Sequence, residues 1–244
     1  MQKPYLKKYG EVDEFIVWIV DGFYIRQNID IDFNNFGQHC RFKYIPKNEF
    51  WLDRQTESNA GEEKYFIEHL LVEHKLMAAG KDYNDALDEG NQAEMEIRGK
   101  DQRVKKLKER LKTDRNFVLQ KIRQKLLPEY SNEKIRTFVV DSFLVRSLFY
   151  IDWVAGGHDK IYPAFIPTNE LWIDNDLVDE ERRFVILHEL HERRLMSFDN
   201  DYEKAHASAL KIENHCHKNP AELEAKIKEE LGRQTNILEN VRMS

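Results

Sequence analysis

Apolar and polar side chains alternate along Ile45-Pro46-Lys47-Asn48-Glu49-Phe50-Trp51-Leu52-Asp53 and again along Ile166-Pro167-Thr168-Asn169-Glu170-Leu171-Trp172-Ile173-Asp174. That alternation predicts a half-buried strand in each block. The proline of each block suits a strand start or a sheet edge. Segments rich in β-branched and aromatic residues come before each block, at 15–19, 23–31 and 41–45, and at 137–140, 143–153 and 161–166. These also predict strands, with Asn34-Asn35-Phe36-Gly37 and Ala155-Gly156-Gly157 supplying turns between them. Past each block the period lengthens to that of a helix, predicting helices over 62–77 and 83–97, and over 179–196 and 201–215. A further charged helix closes each half, near 103–125 and 221–231, the second announced by Asn219-Pro220.

The two halves are copies of one another. Val20-Asp21-Gly22-Phe23 is answered by Val140-Asp141-Ser142-Phe143, and His69, Glu73, Leu76 and Met77 by His188, Glu192, Leu195 and Met196. Tyr83, Ala86 and Glu94 fall against Tyr202, Ala205 and Glu213, all at an offset close to 120 residues. Several matched blocks in one order identify a tandem duplication. Strands followed by helices predict an α+β fold, a small antiparallel sheet with helices, made twice. The first copy with a basic linker helix is expected over 12–127 and the second over 135–244. Trp51 and Trp172 read as core, and Asp53 and Asp174 as turn or helix-capping residues.

Composition narrows the setting. The chain has 244 residues, enough for two cores, and only two cysteines, Cys40 and Cys216, which do not correspond between copies. A disulfide framework is therefore not expected, and a reducing cytoplasm is. No run of apolar residues is long enough for a membrane span, and the polar N-terminal stretch does not read as a signal peptide. A formal charge of −6 disfavours a dedicated nucleic-acid binder. Residues 98–125 run the other way, with twelve lysines and arginines against three acids. Val104, Leu107, Leu111, Val118 and Ile122 give this stretch an apolar stripe, so it reads as a solvated linker helix or a basic rod for nucleic acid or an acidic partner.

Candidate chemistry concentrates in Phe184-Val185-Ile186-Leu187-His188-Glu189-Leu190-His191-Glu192. At about 100° per residue from Phe184, His188 falls near about 40°, Glu192 near about 80° and His191 near about 340°, all inside the apolar arc. Glu189 sits at the arc's edge, while Arg182, Arg193 and Arg194 point elsewhere. Ionisable groups on a core face must be paired or metal-bound, because bare burial costs several kcal/mol. On the next helix His206, Glu213 and His217 share a stripe with Tyr202, flanked by Ala205 and Ala209, whose small side chains let a neighbouring helix approach. His188, Glu192, His206 and Glu213 could therefore converge on a divalent transition metal, with zinc favoured and iron or manganese compatible. A structural His–Glu network is the competing reading. Copy one keeps His69, Glu73 and Glu94 but carries Leu70, Val72 and Leu87 where copy two has Glu189, His191 and His206. His39 and His158 lie close behind glycines and read as turn residues near the site. His215-Cys216-His217 reads as a helix end from which only His217 joins the stripe.

Residues 184–213 resemble the active helix of zincin-type metallopeptidases, in which His-Glu-x-x-His supplies two ligands and a general base. The resemblance implies that His188 is a ligand and Glu189 the base. Glu192 stands where the family has its second histidine, and a carboxylate there weakens the metal as a Lewis acid. The implied function is a metal-dependent hydrolase, peptidase-like and active in the second copy, with His188, Glu192 and His206 as ligands and Glu213 as a further ligand or supporting partner. His158, His191 and His217 are additional candidates. The alternative is a non-catalytic scaffold that holds a protein partner.

Overall fold

The structure is a computed structural model that describes residues 3–54, 61–198 and 200–234. The chain forms two compact units, Met1–Arg115 with Arg146–Val154, and Asn116–Val145 with Ala155–Ser244. Unit boundaries thus differ from the repeat boundaries read in the sequence: residues 116–134 belong with the second sheet, and 146–154 pack in the first unit.

The first unit holds β1 (Tyr5–Val12), β2 (Phe15–Val20), α1 (Gly22–Asn28), β3 (Phe36–Gln38), β4 (Glu49–Asp53), α2 (Glu63–Ala78), α3 (Tyr83–Arg98) and α4 (Gln102–Thr113). Then come α5 (Arg115–Ile122), β5 (Arg123–Leu126), β6 (Arg136–Val140), α6 (Ser142–Leu148), β7 (Gly156–His158), β8 (Glu170–Asp174), α7 (Asp179–Met196), α8 (Tyr202–Lys218) and α9 (Leu223–Gly232). The sheets share one order, β1-β2-β4-β3 and β5-β6-β8-β7. In each, the central pair is parallel and both flanking pairs are antiparallel. The α+β class and the duplicated sheet follow the sequence reading, and the sheets are mixed.

The parallel pair exists because a helix, not a strand, follows β2 and β6. Residues 23–31 and 143–153, expected as strands, begin as α1 and α6. Asp21 caps α1 by accepting from the Tyr24 amide at 3.1 Å, and Asp141 caps α6 through the Leu144 amide at 3.0 Å. A side-chain acceptor there satisfies an otherwise orphaned helical N–H. Residues 142–147 of α6 are all buried, its Ser142, Arg146 and Ser147 included, so no polar face marks a helical period there. The 41–45 and 161–166 segments, also expected as strands, are turns. The stretches read as turns, around Gly37 and Gly156, instead contain the short strands β3 and β7.

The recurring Glu-x-Trp of the shared block has a local cause. Side chains two residues apart lie on one sheet face, so Glu49 accepts from the Trp51 indole at 2.8 Å and Glu170 from Trp172 at 3.0 Å. Both tryptophans are core. Asp53 reaches back to the Gly22 amide (3.1 Å) and to Arg26 (2.9 Å), tying β4 to the start of α1. The basic stretch over 98–125 is not one helix: Arg98 ends α3 and is buried, Asp114 separates α4 from α5, and Arg123 opens β5. Among the described residues no helix is long and apolar enough to cross a membrane. Cys40 and Cys216 are free.

In the first unit α2 starts over a buried carboxylate. Glu62 accepts from Arg98 at 2.6 Å and from Arg146 Nε and Nη2, each at 2.9 Å, while Arg98 also donates to Glu94 at 2.7 Å. Burial opposes ionisation of Glu62, but the two guanidiniums outweigh it and hold its carboxyl below the usual range. Removing one member of such a network leaves buried charge uncompensated, at a cost of about 3–5 kcal/mol. Glu62→Ala is therefore expected to lower unfolding stability by about that amount in urea titrations, against under about 1 kcal/mol for an exposed pair such as Lys112→Ala. Similar small losses in both variants would contradict the role given to Glu62.

Candidate metal centre

α7 lies against β7, β8, α8 and α9, so residues 184–193 are buried on every side, while Asp179, Glu180 and Arg183 near its start are exposed. His188, Glu189, His191, Glu192 and Arg193 are all buried. Arg193, expected to point away from the core, is held by Asp159 at 2.6 Å and Gln234 at 2.9 Å.

The polar core of the second unit is built from α7 and α8, with β7 closing one side. Glu192 Oε2 stands 2.8 Å from His206 Nδ1 and 3.6 Å from His188 Nε2, and the two ring nitrogens are 3.1 Å apart. These three side chains form one group able to hold a metal ion. The other Glu192 oxygen, Oε1, lies 3.1 Å from His158 Nε2. His158, Glu189 and Glu192 form a second such group that shares Glu192. Glu213 bonds the outer nitrogen of His188, Nδ1, at 2.8 Å. A carboxylate on that nitrogen fixes the ring and turns Nε2 inward, as partners of metal-ligating histidines do. His206 is the most open member, its side chain 38% exposed and its ring stacked on Tyr202 at 5.2 Å.

Of the other candidates, His217 bonds Glu213 at 3.4 Å and stacks on Phe184. His191 faces away from the cluster, between Ser208 Oγ and Glu230 Oε1, each at 2.9 Å, and ties α7 to α8 and α9. His215 pairs with Glu222 at the surface.

Protonation follows from this crowding. Burial opposes charge on His188, but its bonds to Glu192 and Glu213, with the nearby Glu189, push the imidazole up to about 10. Burial also works against ionised Glu192, yet hydrogen bonds from His158, His188 and His206 hold it well below the ordinary carboxylate range. Partial burial opposes charge on Glu213 as well, but His188 and His217 bring it down to about 2. Glu189 goes the other way: burial first, then the charge of Glu192, raise it to about 8. Its Oε2 is buried and has no hydrogen-bond partner among the described residues. The sequence reading put Glu189 at the edge of the apolar face, whereas it is only 8% exposed.

Gly156 makes this burial feasible. A Cβ there would stand 3.0 Å from Val185 Cγ1 and 3.1 Å from Glu189 Cγ and Oε1. The same register position in the first sheet is Phe36, whose ring packs 4.9 Å from Phe66 and 4.8 Å from His69, with Leu70 buried beside it. Phe36 with Leu70 thus fills the space that Gly156 opens for Glu189. The strand register also pairs Gln38 with His158, leaving His39 opposite Asp159. The paired histidines read from the sequence are not equivalents. Comparing Phe36-Gly37-Gln38 with Gly156-Gly157-His158 would have singled out both Gly156 and His158.

Compared with family models, curated proteins and solved structures, the chain finds no match.

In the first unit His69 lies 3.2 Å from Glu94 and 3.5 Å from Glu73. Burial lowers its proton affinity, but bonds to Glu73 and Glu94 outweigh that and raise it to about 9. The folded value exceeds the ordinary 6.5, so the gain in stability is complete below about pH 6.5 and disappears as pH rises through about 9. Urea titrations of wild type and His69→Gln in chelator should show their stability difference shrinking by on the order of 2–3 kcal/mol between pH 6 and pH 10. A difference independent of pH would mean that His69 is neutral in the fold.

Proposed function

We propose that the second unit binds one divalent transition metal between α7 and α8 through His188, Glu192 and His206, and acts as a metal-dependent hydrolase. The supporting observation is the spacing of the three donor atoms, 2.8, 3.1 and 3.6 Å. Donors each about 2.1 Å from one ion stand about 3.0 Å apart at right angles and about 3.4 Å apart at the tetrahedral angle. Two imidazoles and one carboxylate suit zinc first, and also iron or manganese. Three protein ligands leave a position for water, and the exposed edge of His206 gives the side from which a substrate arrives.

When bound, the metal supplies a water acidified toward neutrality. Glu189 fits the role of the base that takes the water's proton. Its Oε2 has no competing partner among the described residues, which leaves it free to accept a proton once ionised. Glu213 keeps His188 turned inward, and the zincin-like order His188-Glu189 favours hydrolysis of a peptide or ester bond. A scaffold reading has one observation in its favour: copy one holds His69 between Glu73 and Glu94 by hydrogen bonds and ion pairs alone, with leucines at both remaining positions.

The two readings part on turnover. Zinc-loaded wild type should hydrolyse members of a broad peptide and ester panel, and chelation should abolish this. Glu189→Gln, a neutral isostere of the protonated acid, should keep zinc affinity and melting temperature nearly unchanged while turnover falls by at least about a hundredfold. Unaltered turnover in the variant would remove Glu189 from the mechanism. Absence of turnover in every metal-loaded form would transfer support to the scaffold reading.

A further inference from the structure

His158 stands beside the proposed ligands and could be counted among them, since its Nε2 lies 3.1 Å from Glu192 and it belongs to one of the metal-capable groups. Its other nitrogen decides otherwise. Nδ1 faces two backbone amides, accepting from Lys160 at 3.2 Å and from Ile161 at 3.3 Å. Amide N–H groups only donate, so Nδ1 must keep its lone pair, and the proton of the neutral ring resides on Nε2. From there it is donated to Glu192 Oε1. A metal on Nε2 would have to displace that proton, and Nδ1, already facing two donors, could not take it up.

Copy one contains an independent version of the same arrangement. Gln38 occupies the equivalent register position. Its Oε1 accepts from the Cys40 amide at 2.6 Å and its Nε2 donates to Glu73 Oε1 at 2.7 Å. The amide acceptor therefore meets the loop after the strand, and the amide donor meets the helix glutamate, as the two ring nitrogens do in copy two. Glutamine and histidine share that pattern only when the histidine is the neutral Nε2–H form.

We infer that His158 is a positioning residue: held by the loop amides as the Nε2–H tautomer, it occupies Glu192 Oε1 and so presents Oε2 to His188 and His206. The inference about Glu192 as a ligand rests on the proposed metal reading, whereas the tautomer does not. His158 in turn is fixed by β7 and the loop that follows, so the sheet sets the geometry of a ligand on α7.

The test combines imidazole 15N NMR, which reports the tautomer, with zinc affinity by competition against a chromophoric chelator. In metal-free protein His158 should show a protonated Nε2 and an unprotonated Nδ1, and the Nε2 proton should remain when zinc is added. His158→Gln should bind zinc within about threefold of wild type, while His158→Leu should weaken it by about 10–100-fold, as loss of a ligand's supporting partner does. A proton on Nδ1 in the metal-free protein, loss of the Nε2 proton with zinc, or a His158→Gln variant as weak as His206→Ala would overturn the inference. Should wild type bind no zinc, the metal reading fails, and the metal-free tautomer still decides the role of His158.

Discussion

Glu192 keeps a negative charge where α7 lies against β7, and an ionised carboxylate is tolerated there only because three imidazoles surround it. Its two oxygens are used differently. Oε1 takes a hydrogen bond from β7, and Oε2 faces the two histidines that join α7 to α8. Two neighbouring groups answer to that division: His188 stays protonated because Glu192 and Glu213 flank it, and Glu189 resists ionising because it is buried beside an already ionised Glu192. Such a group could hold a divalent cation with little movement, since the ion would take the place of the His188 proton between donors already at ligand spacing.

The two copies show what the fold needs and what the site adds. Both retain a histidine and a glutamate one turn apart on the first long helix, an acceptor–donor side chain on the third strand, and a glutamate on the second long helix. Copy one pairs these among themselves, with His69 Nε2 in an ion pair to Glu73 but without a hydrogen bond among the described residues, and caps the set with buried Arg98. Copy two replaces Leu87 with His206, and it exchanges Phe36 and Leu70 for Gly156 and Glu189. The last change is coupled, because a side chain at Gly156 would crowd Glu189. An unpartnered buried carboxyl oxygen costs about 1–3 kcal/mol. Its presence in the copy with the fuller donor set is what a functional demand on Glu189 would leave.

Much of this was legible in the sequence, and the misreadings have physical causes. The duplication, the four long helices and the convergence of His188, Glu192, His206 and Glu213 all follow from matched blocks and a period of about 3.6. The segments that became α1 and α6 are short, about two turns each, and too brief for a helical period to show, so the Asp21 and Asp141 caps are what mark them as helical. β3 and β7 are three residues each and glycine-containing, so they look like turns. The burial of Glu189 and Arg193 was hidden because a helical wheel assumes one covered face, whereas α7 is covered by a sheet and two helices. His158 escaped because its importance lies in which nitrogen carries a proton, and that depends on loop amides no spacing rule encodes.

The proposed metal ion would be held in the second unit alone, by two imidazoles and a carboxylate. X-ray absorption on protein titrated with zinc, together with elemental analysis, measures this most directly. The account predicts about one zinc per chain with two histidine nitrogens and carboxylate oxygen at about 2.0–2.2 Å, and loss of the ion in His206→Leu, which restores the copy-one residue. Absence of bound zinc, or stoichiometric zinc retained by His206→Leu in the same coordination, would contradict it.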